Sequence, residues 1–163
     1  MARPLGGTPA GGWYGARSMT RSLGLDVGTK TVGVAVSDGL GLTAQPVTTL
    51  RRTNLRADLT ELRRLAEHHS VEHVVVGLPL NMDGSEGPSA GEARRFGEAV
   101  ARQLGLPVDY WDERLTTAEA NRVLLEADLS RARRKAVVDR VAAALILQGW
   151  LDARRGTAHG DEP

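Results

Sequence analysis

Cysteine is absent from the sequence, which excludes a disulfide framework and any zinc site built on thiolates, and agrees with a reducing compartment. Aromatic side chains are scarce, with one Phe, two Tyr and three Trp, so a core has to be assembled from aliphatic residues. No apolar run approaches the ~20 residues of a membrane-spanning helix; the longest aliphatic stretch, Val141 to Leu147, is far shorter. The amino terminus has no continuous apolar segment of the signal-peptide kind, so a cytoplasmic location without membrane attachment is expected. An excess of one charge is missing too. Twenty-one basic against twenty acidic residues leave a formal net charge of +1, and such a balance does not by itself announce a nucleic-acid partner.

What is present suffices for one domain. A chain of 163 residues buries a core without covalent staples. It is too short for the second lobe of an actin-like or sugar-kinase-like phosphotransferase, folds that also open on Asp-x-Gly and a hairpin. Basic residues come in groups, Arg51-Arg52, Arg63-Arg64, Arg94-Arg95, Arg131 to Lys135 and Arg154-Arg155, which would meet phosphates if the fold gathers several on one face. That distribution alone supports a non-catalytic nucleic-acid-binding assembly factor as an alternative to an enzyme.

Residues 1–18 are rich in Gly, Pro, Ala and Arg without periodicity and read as a disordered leader. The expected domain spans 19–154, with a flexible tail over 155–163. Strands are expected at Ser22 to Val27, Thr31 to Ser37 and Leu42 to Leu50, the first two joined by the Gly28-Thr29-Lys30 turn. Leu55, Leu59, Leu62 and Leu65 recur at helical spacing behind Asn54, a candidate N-cap. Glu72 to Gly77 contains the Val74-Val75-Val76 run of a strand covered on both faces. A loop over Leu78 to Gly87, a helix from Ser89 to Leu104 closed by Gly105, and a strand from Val108 to Asp112 follow. Thr116 with Glu119 forms a capping-box pattern for a helix to about Ala127, and a last helix is expected over Ala132 to Arg154. Three strands followed by alternating helices and strands imply a mixed α/β sheet flanked by helices.

Three carboxylates fall in places where an unpaired charge is costly. Asp26 lies inside the first strand between Gly24 and Gly28, glycines that would let a metal or phosphate approach the backbone; alternatively it bonds to the turn amides. Asp112 and Glu113 end a late strand, where open α/β sheets place ligands, and alternation lets only one of them face Asp26 without saying which. A surface pair of Glu113 with Arg114 or Arg140 is the plainer reading. Asp139 interrupts an apolar helix surface, with an intrahelical pair to Lys135 as its plainer reading. Three acids gathered in one pocket repel, and Mg2+ or Mn2+ is the usual remedy. Two such ions about 4 Å apart can activate water and stabilise the leaving oxygen of a phosphodiester.

Four ordered motifs then carry a resemblance: Gly24-Leu25-Asp26-Val27-Gly28-Thr29-Lys30 with Gly33 to Asp38, Val76 to Glu86, Asp112 to Thr117, and Lys135 to Leu147. Over Ser22 to Asp152 the chain resembles the YqgF/RuvX family of the ribonuclease H-like superfamily, described both as Holliday junction resolvases and as nucleases of precursor 16S ribosomal RNA. The resemblance implies a ribonuclease H-like five-stranded mixed sheet, with Asp26, Glu113 and Asp139 as catalytic, metal-binding acids, and so selects Glu113 over Asp112. Mg2+ or Mn2+, as two ions, is the expected cofactor, and the resemblance further implies cleavage leaving 5′-phosphate and 3′-hydroxyl ends. The expected substrate is structured RNA at the 5′ end of the 16S precursor, with branched DNA as the alternative. A homodimer suits a junction-cleaving enzyme. Lys30, Asn81, Arg114, Thr116, Arg134 and Lys135 are the candidate substrate-binding residues, and the Asn81 to Glu86 loop is a candidate lid. One departure stands out: the family often carries a basic residue after the lysine of its first motif, and this chain has Thr31.

Overall fold

The computed structural model describes residues 20–115 and 131–160, with 131–135 and 157–160 described by backbone alone. Five strands, β1 (Arg21–Val27), β2 (Thr31–Ser37), β3 (Ala44–Arg51), β4 (Val71–Leu78) and β5 (Val108–Asp112), are joined by α1 (Leu55–His68) between β3 and β4 and by α2 (Pro88–Leu104) between β4 and β5. A 3-10 turn (Glu113–Leu115) follows β5, and α3 (Arg131–Gly160) ends the described chain. The sheet runs β3-β2-β1-β4-β5. Its first three strands form an antiparallel meander, while β4 and β5 join β1 in parallel. This is the mixed five-stranded sheet expected from the sequence.

Strand alternation divides the core into two layers. Leu23, Leu25, Val32, Val34, Val74 and Val76 face α1 and α2, where Leu62, Phe96 and Val100 cover them. Ala35 and Val75 face the other way, onto Ala143, Ile146, Leu147 and Trp150 of α3. Val74, Val75 and Val76 are all 0% exposed, because β4 is covered on both sides. Each fully buried Val or Leu contributes about 1.5 to 3 kcal/mol, so the stacking of helices on both faces, rather than the sheet alone, holds the domain together.

The sheet face beneath α3 carries glycines for a steric reason. A β-carbon on Gly33 would lie 1.9 Å from the Asp139 carbonyl oxygen, and one on Gly24 would lie 2.7 Å from the Leu147 β-carbon. Gly24 therefore admits the helix, not the metal or phosphate that its sequence position suggested. The close seat of α3 on β1 and β2 is what carries Asp139 to the sheet.

Local signals explain most boundaries. The Asn54 side chain accepts the Ala57 N–H at 2.9 Å, and Gly105 closes α2 in the left-handed region at φ 67°, a conformation glycine adopts at little cost. Pro46, unable to donate to a ladder, sits in the edge strand β3 where its register against β2 shifts. β3 begins at Ala44, two residues later than expected, because the Asp38 carboxylate accepts the Leu42 N–H at 2.9 Å and keeps that segment in a turn. The last helix also runs past its expected end at Arg154: α3 continues to Gly160, and Arg155 ties it to the carbonyl oxygens of Gly41 and Leu42 at 3.2 and 3.1 Å. The expected leader (1–18) and the helix over Thr116 to Ala127 lie outside the described residues. Among the described residues no helix is long and apolar enough to cross a membrane.

Candidate active site

Because β1, β4 and β5 are parallel, their carboxyl ends meet at one edge of the sheet. Leu25 faces α1 and α2, so Asp26 faces the α3 side. Its partner across the β1–β2 ladder is Gly33, and the Asp139 backbone lies directly over that glycine. From the other flank, Trp111 of β5 packs on Gly149 of α3, and Glu113, two residues on, keeps the same side. A β-carbon on Gly77 would meet Cγ and Oε2 of Glu113 at 2.8 and 2.9 Å. The missing side chain of Gly77 thus leaves the space through which Glu113 reaches across β4 to Asp26.

Asp26 and Glu113 share a side-chain hydrogen bond. Two carboxylates can do so only if one keeps its proton. Burial, then the charge of Asp26 and the bond between them, push Glu113 from 4.5 up to about 8. Its neighbour Asp112 is treated in the opposite way. Arg114 bonds to it at 2.6 Å, and that bond outweighs burial to hold its carboxyl below the usual range. Asp112 thus takes the arginine that the plainer reading of the sequence assigned to Glu113.

Asp139 is 6% exposed. The Thr31 hydroxyl donates to its Oδ2, and the Thr49 hydroxyl donates to the Ala136 carbonyl at 2.5 Å about one turn earlier, fixing this stretch of α3 over β2 and β3. The other candidate partner of Glu113, Arg140, turns back to the Ala136 carbonyl at 3.4 Å. The three acids are therefore on one face at one edge, Asp26 and Glu113 in contact and Asp139 beside Asp26 across Gly33. Among the described residues no three acidic or histidine side chains already surround a single point closely enough to hold an ion. The donor set, made of carboxylate oxygens, nevertheless fits the chemistry of a hard divalent cation, which on binding would displace the proton between Asp26 and Glu113.

The candidate substrate-binding residues are distributed around this edge. Lys30 is exposed on the β1–β2 turn. That turn is braced by Arg52, whose backbone N–H donates to the Lys30 carbonyl at 2.8 Å and whose guanidinium donates to the Gly28 carbonyl at 2.9 Å and pairs with Asp58 at 3.3 Å. Arg114 is exposed, and besides holding Asp112 it donates to the Met82 carbonyl at 3.0 Å, latching the 81–86 loop to the 3-10 turn. Asn81 is exposed and donates to the Ser85 hydroxyl at 2.9 Å, a bond that shapes the loop itself. Thr116 lies outside the described residues. Arg134 and Lys135 fall in the first turns of α3, where the side chains are not described. The sequence reading missed the bracing role of Arg52 and Asp58 and the contact of Thr31 with Asp139. The parity of Thr31, Gly33 and Ala35 was the signal that could have pointed to the last.

The architecture is that of the RuvC-like proteins with a ribonuclease H fold. Thermus thermophilus RuvC in complex with a Holliday junction substrate matches with a TM-score of 0.56 at 18% identity, covering 85% of this chain and 97% of that chain. The fowlpox virus Holliday junction resolvase matches with a TM-score of 0.50 at 11% identity, covering 82% and 99%. At these identities the likeness concerns the fold. The family follows from sequence: the model described as "RuvX: Holliday junction resolvase" matches residues 20–153, and the chain belongs to that family. A Myxococcus xanthus protein named "Putative pre-16S rRNA nuclease" is 65% identical over 135 residues, 83% of this chain and 89% of its own length. A Moorella thermoacetica protein of the same name is 61% identical over 132 residues, 81% and 94% of the two chains.

Proposed function

We propose that the protein is a metal-dependent nuclease that hydrolyses phosphodiester bonds in the 5′ leader of precursor 16S ribosomal RNA. The observation that carries this reading is the contact of the Asp26 and Glu113 carboxyl groups at the carboxyl edge of the sheet, with the buried Asp139 alongside. Two acids held in contact at a cost to the fold are a poor structural device and a good cation site. The RNA assignment draws support from the names of relatives above 60% identity that the chain matches over more than four-fifths of its length.

Asp26, Glu113 and Asp139 are the residues that hold Mg2+ or Mn2+. When bound, the ion supplies Lewis acidity for the phosphoryl oxygens and lowers the pKa of the attacking water. Asp26 and Glu113 bring their charge once the shared proton has left to solvent. Lys30, exposed on the β1–β2 turn, stands where its cation neutralises a phosphate next to the bond being cut, while Arg114, paired with Asp112, holds the 81–86 loop at the edge and meets substrate through that loop. The water oxygen gives up a proton to solvent as it bonds to phosphorus, the bond from phosphorus to the 3′ oxygen breaks, and that oxygen takes up a proton from solvent, leaving 5′-phosphate and 3′-hydroxyl ends.

The test is incubation of the purified protein in Mn2+ with a labelled fragment of the 16S precursor and, separately, a four-way DNA junction. Cleavage of the RNA that is lost in Asp26→Asn supports the reading. Cutting of the junction alone moves the substrate to branched DNA, and equal activity of the Asn variant rejects the site.

A further inference from the structure

Thr31 follows the lysine of the first motif, and the structure gives it an occupation. Its hydroxyl donates to Oδ2 of Asp139, an acid 108 residues away in sequence and almost wholly buried. Neither end of this contact has much freedom. Thr31 opens β2, pairs with Arg51 of β3, and accepts the Gly28 N–H on its carbonyl at 2.9 Å. A β-branched side chain on so fixed a backbone has few rotamers, so the direction of the hydroxyl is set by the strand. The Asp139 backbone is pressed against Gly33, leaving its carboxylate only side-chain torsions to settle.

We infer that Thr31 is a positioning residue for Asp139, holding its carboxylate in the orientation that a divalent cation beside Asp26 and Glu113 requires. The inference rests on the nuclease reading above. A carboxylate offers about four lone-pair sites, and a hydroxyl uses one of them. Because the donor is neutral, this bond takes no charge from the carboxylate, whereas a basic side chain at this position would offset part of it. Hydrogen bonds of this kind to metal-binding carboxylates typically govern metal affinity by about 10- to 100-fold.

Mn2+ titration by calorimetry of the full chain, with metal-free urea unfolding curves alongside, tests the inference on wild type, Thr31→Val, Thr31→Ser, Thr31→Ala and Asp26→Asn. The expected result is Mn2+ binding weakened about 10-fold or more in the Val and Ala variants and restored in the Ser variant, in proteins that the metal-free unfolding curves show to be folded. The Ala variant, which removes the hydroxyl without placing a methyl against Asp139, carries the test if the Val variant does not fold. Wild-type Mn2+ affinity in the folded Val or Ala variant, or equal weakening in the Ser variant, overturns the role of Thr31 and leaves the nuclease reading standing. No Mn2+ binding by the wild type, or undiminished binding in Asp26→Asn, overturns both.

Discussion

The substitution Glu113→Gln separates the two roles of the Asp26–Glu113 pair, the burden it places on the metal-free fold and the charge it offers a cation. In the folded protein burial, the Asp26 charge and their bond raise Glu113 to about 8, against 4.5 ordinarily. A group whose folded pKa lies above its unfolded value lends stability that is complete below the unfolded value and is lost as pH rises towards the folded one. For Glu113 that window runs from 4.5 to about 8. Between about pH 4 and pH 7 the unfolded chain gains ionisation that the fold denies, which removes about 2 to 3 kcal/mol. The amide introduced by Glu113→Gln has no proton to lose and donates to Asp26 throughout the range. At about pH 8 the metal-free variant should therefore melt on the order of 5 to 10 °C above the wild type, and at about pH 4 to 5 the two should converge. Added Mn2+ should reverse the order, stabilising the wild type with release of about one proton at pH 7 and leaving the variant almost unmoved. Thermal melts across pH with and without Mn2+ read all of this. Parallel pH profiles for the two proteins would refute the proton-sharing account.

Gly33→Ala drives a methyl into the Asp139 carbonyl and should destabilise the domain by about 1 to 3 kcal/mol or more in urea unfolding; unchanged stability would mean that α3 does not lie where described. Lys30→Ala should weaken RNA binding about uniformly across sequences and reduce the slope of log affinity against log salt by about 1, measured by fluorescence anisotropy. An unchanged slope would remove Lys30 from the phosphate path.

Most of the fold was legible because its signals are local. The β-branched run at Val74 to Val76, the Asn54 cap and the Gly105 terminus each act within a few residues, and each appears where the pattern placed it. The site was legible in part. Residue types and strand ends marked Asp26 and Glu113, but the choice between Asp112 and Glu113 depends on whether alternation in β5 carries through the 3-10 turn. The structure puts Trp111 and Glu113 on the α3 side, while Tyr110 packs on Gly97 of α2. Gly24 was misread for a related reason: it looked like an opening for a ligand and is, together with Gly33, a seat for a helix, which only the tertiary packing of a segment more than a hundred residues later reveals. The extension of α3 past Arg154 likewise depends on Arg155 finding the β2–β3 turn, a contact that no local pattern encodes.

Anomalous scattering from a crystal soaked in Mn2+ addresses the central claim most directly. The account predicts a peak about 2.1 Å from carboxylate oxygens of both Asp26 and Glu113, with Asp139 contributing on the β2 side. A lattice saturated with Mn2+ that shows no density between Asp26 and Glu113, their hydrogen bond still in place, would contradict it.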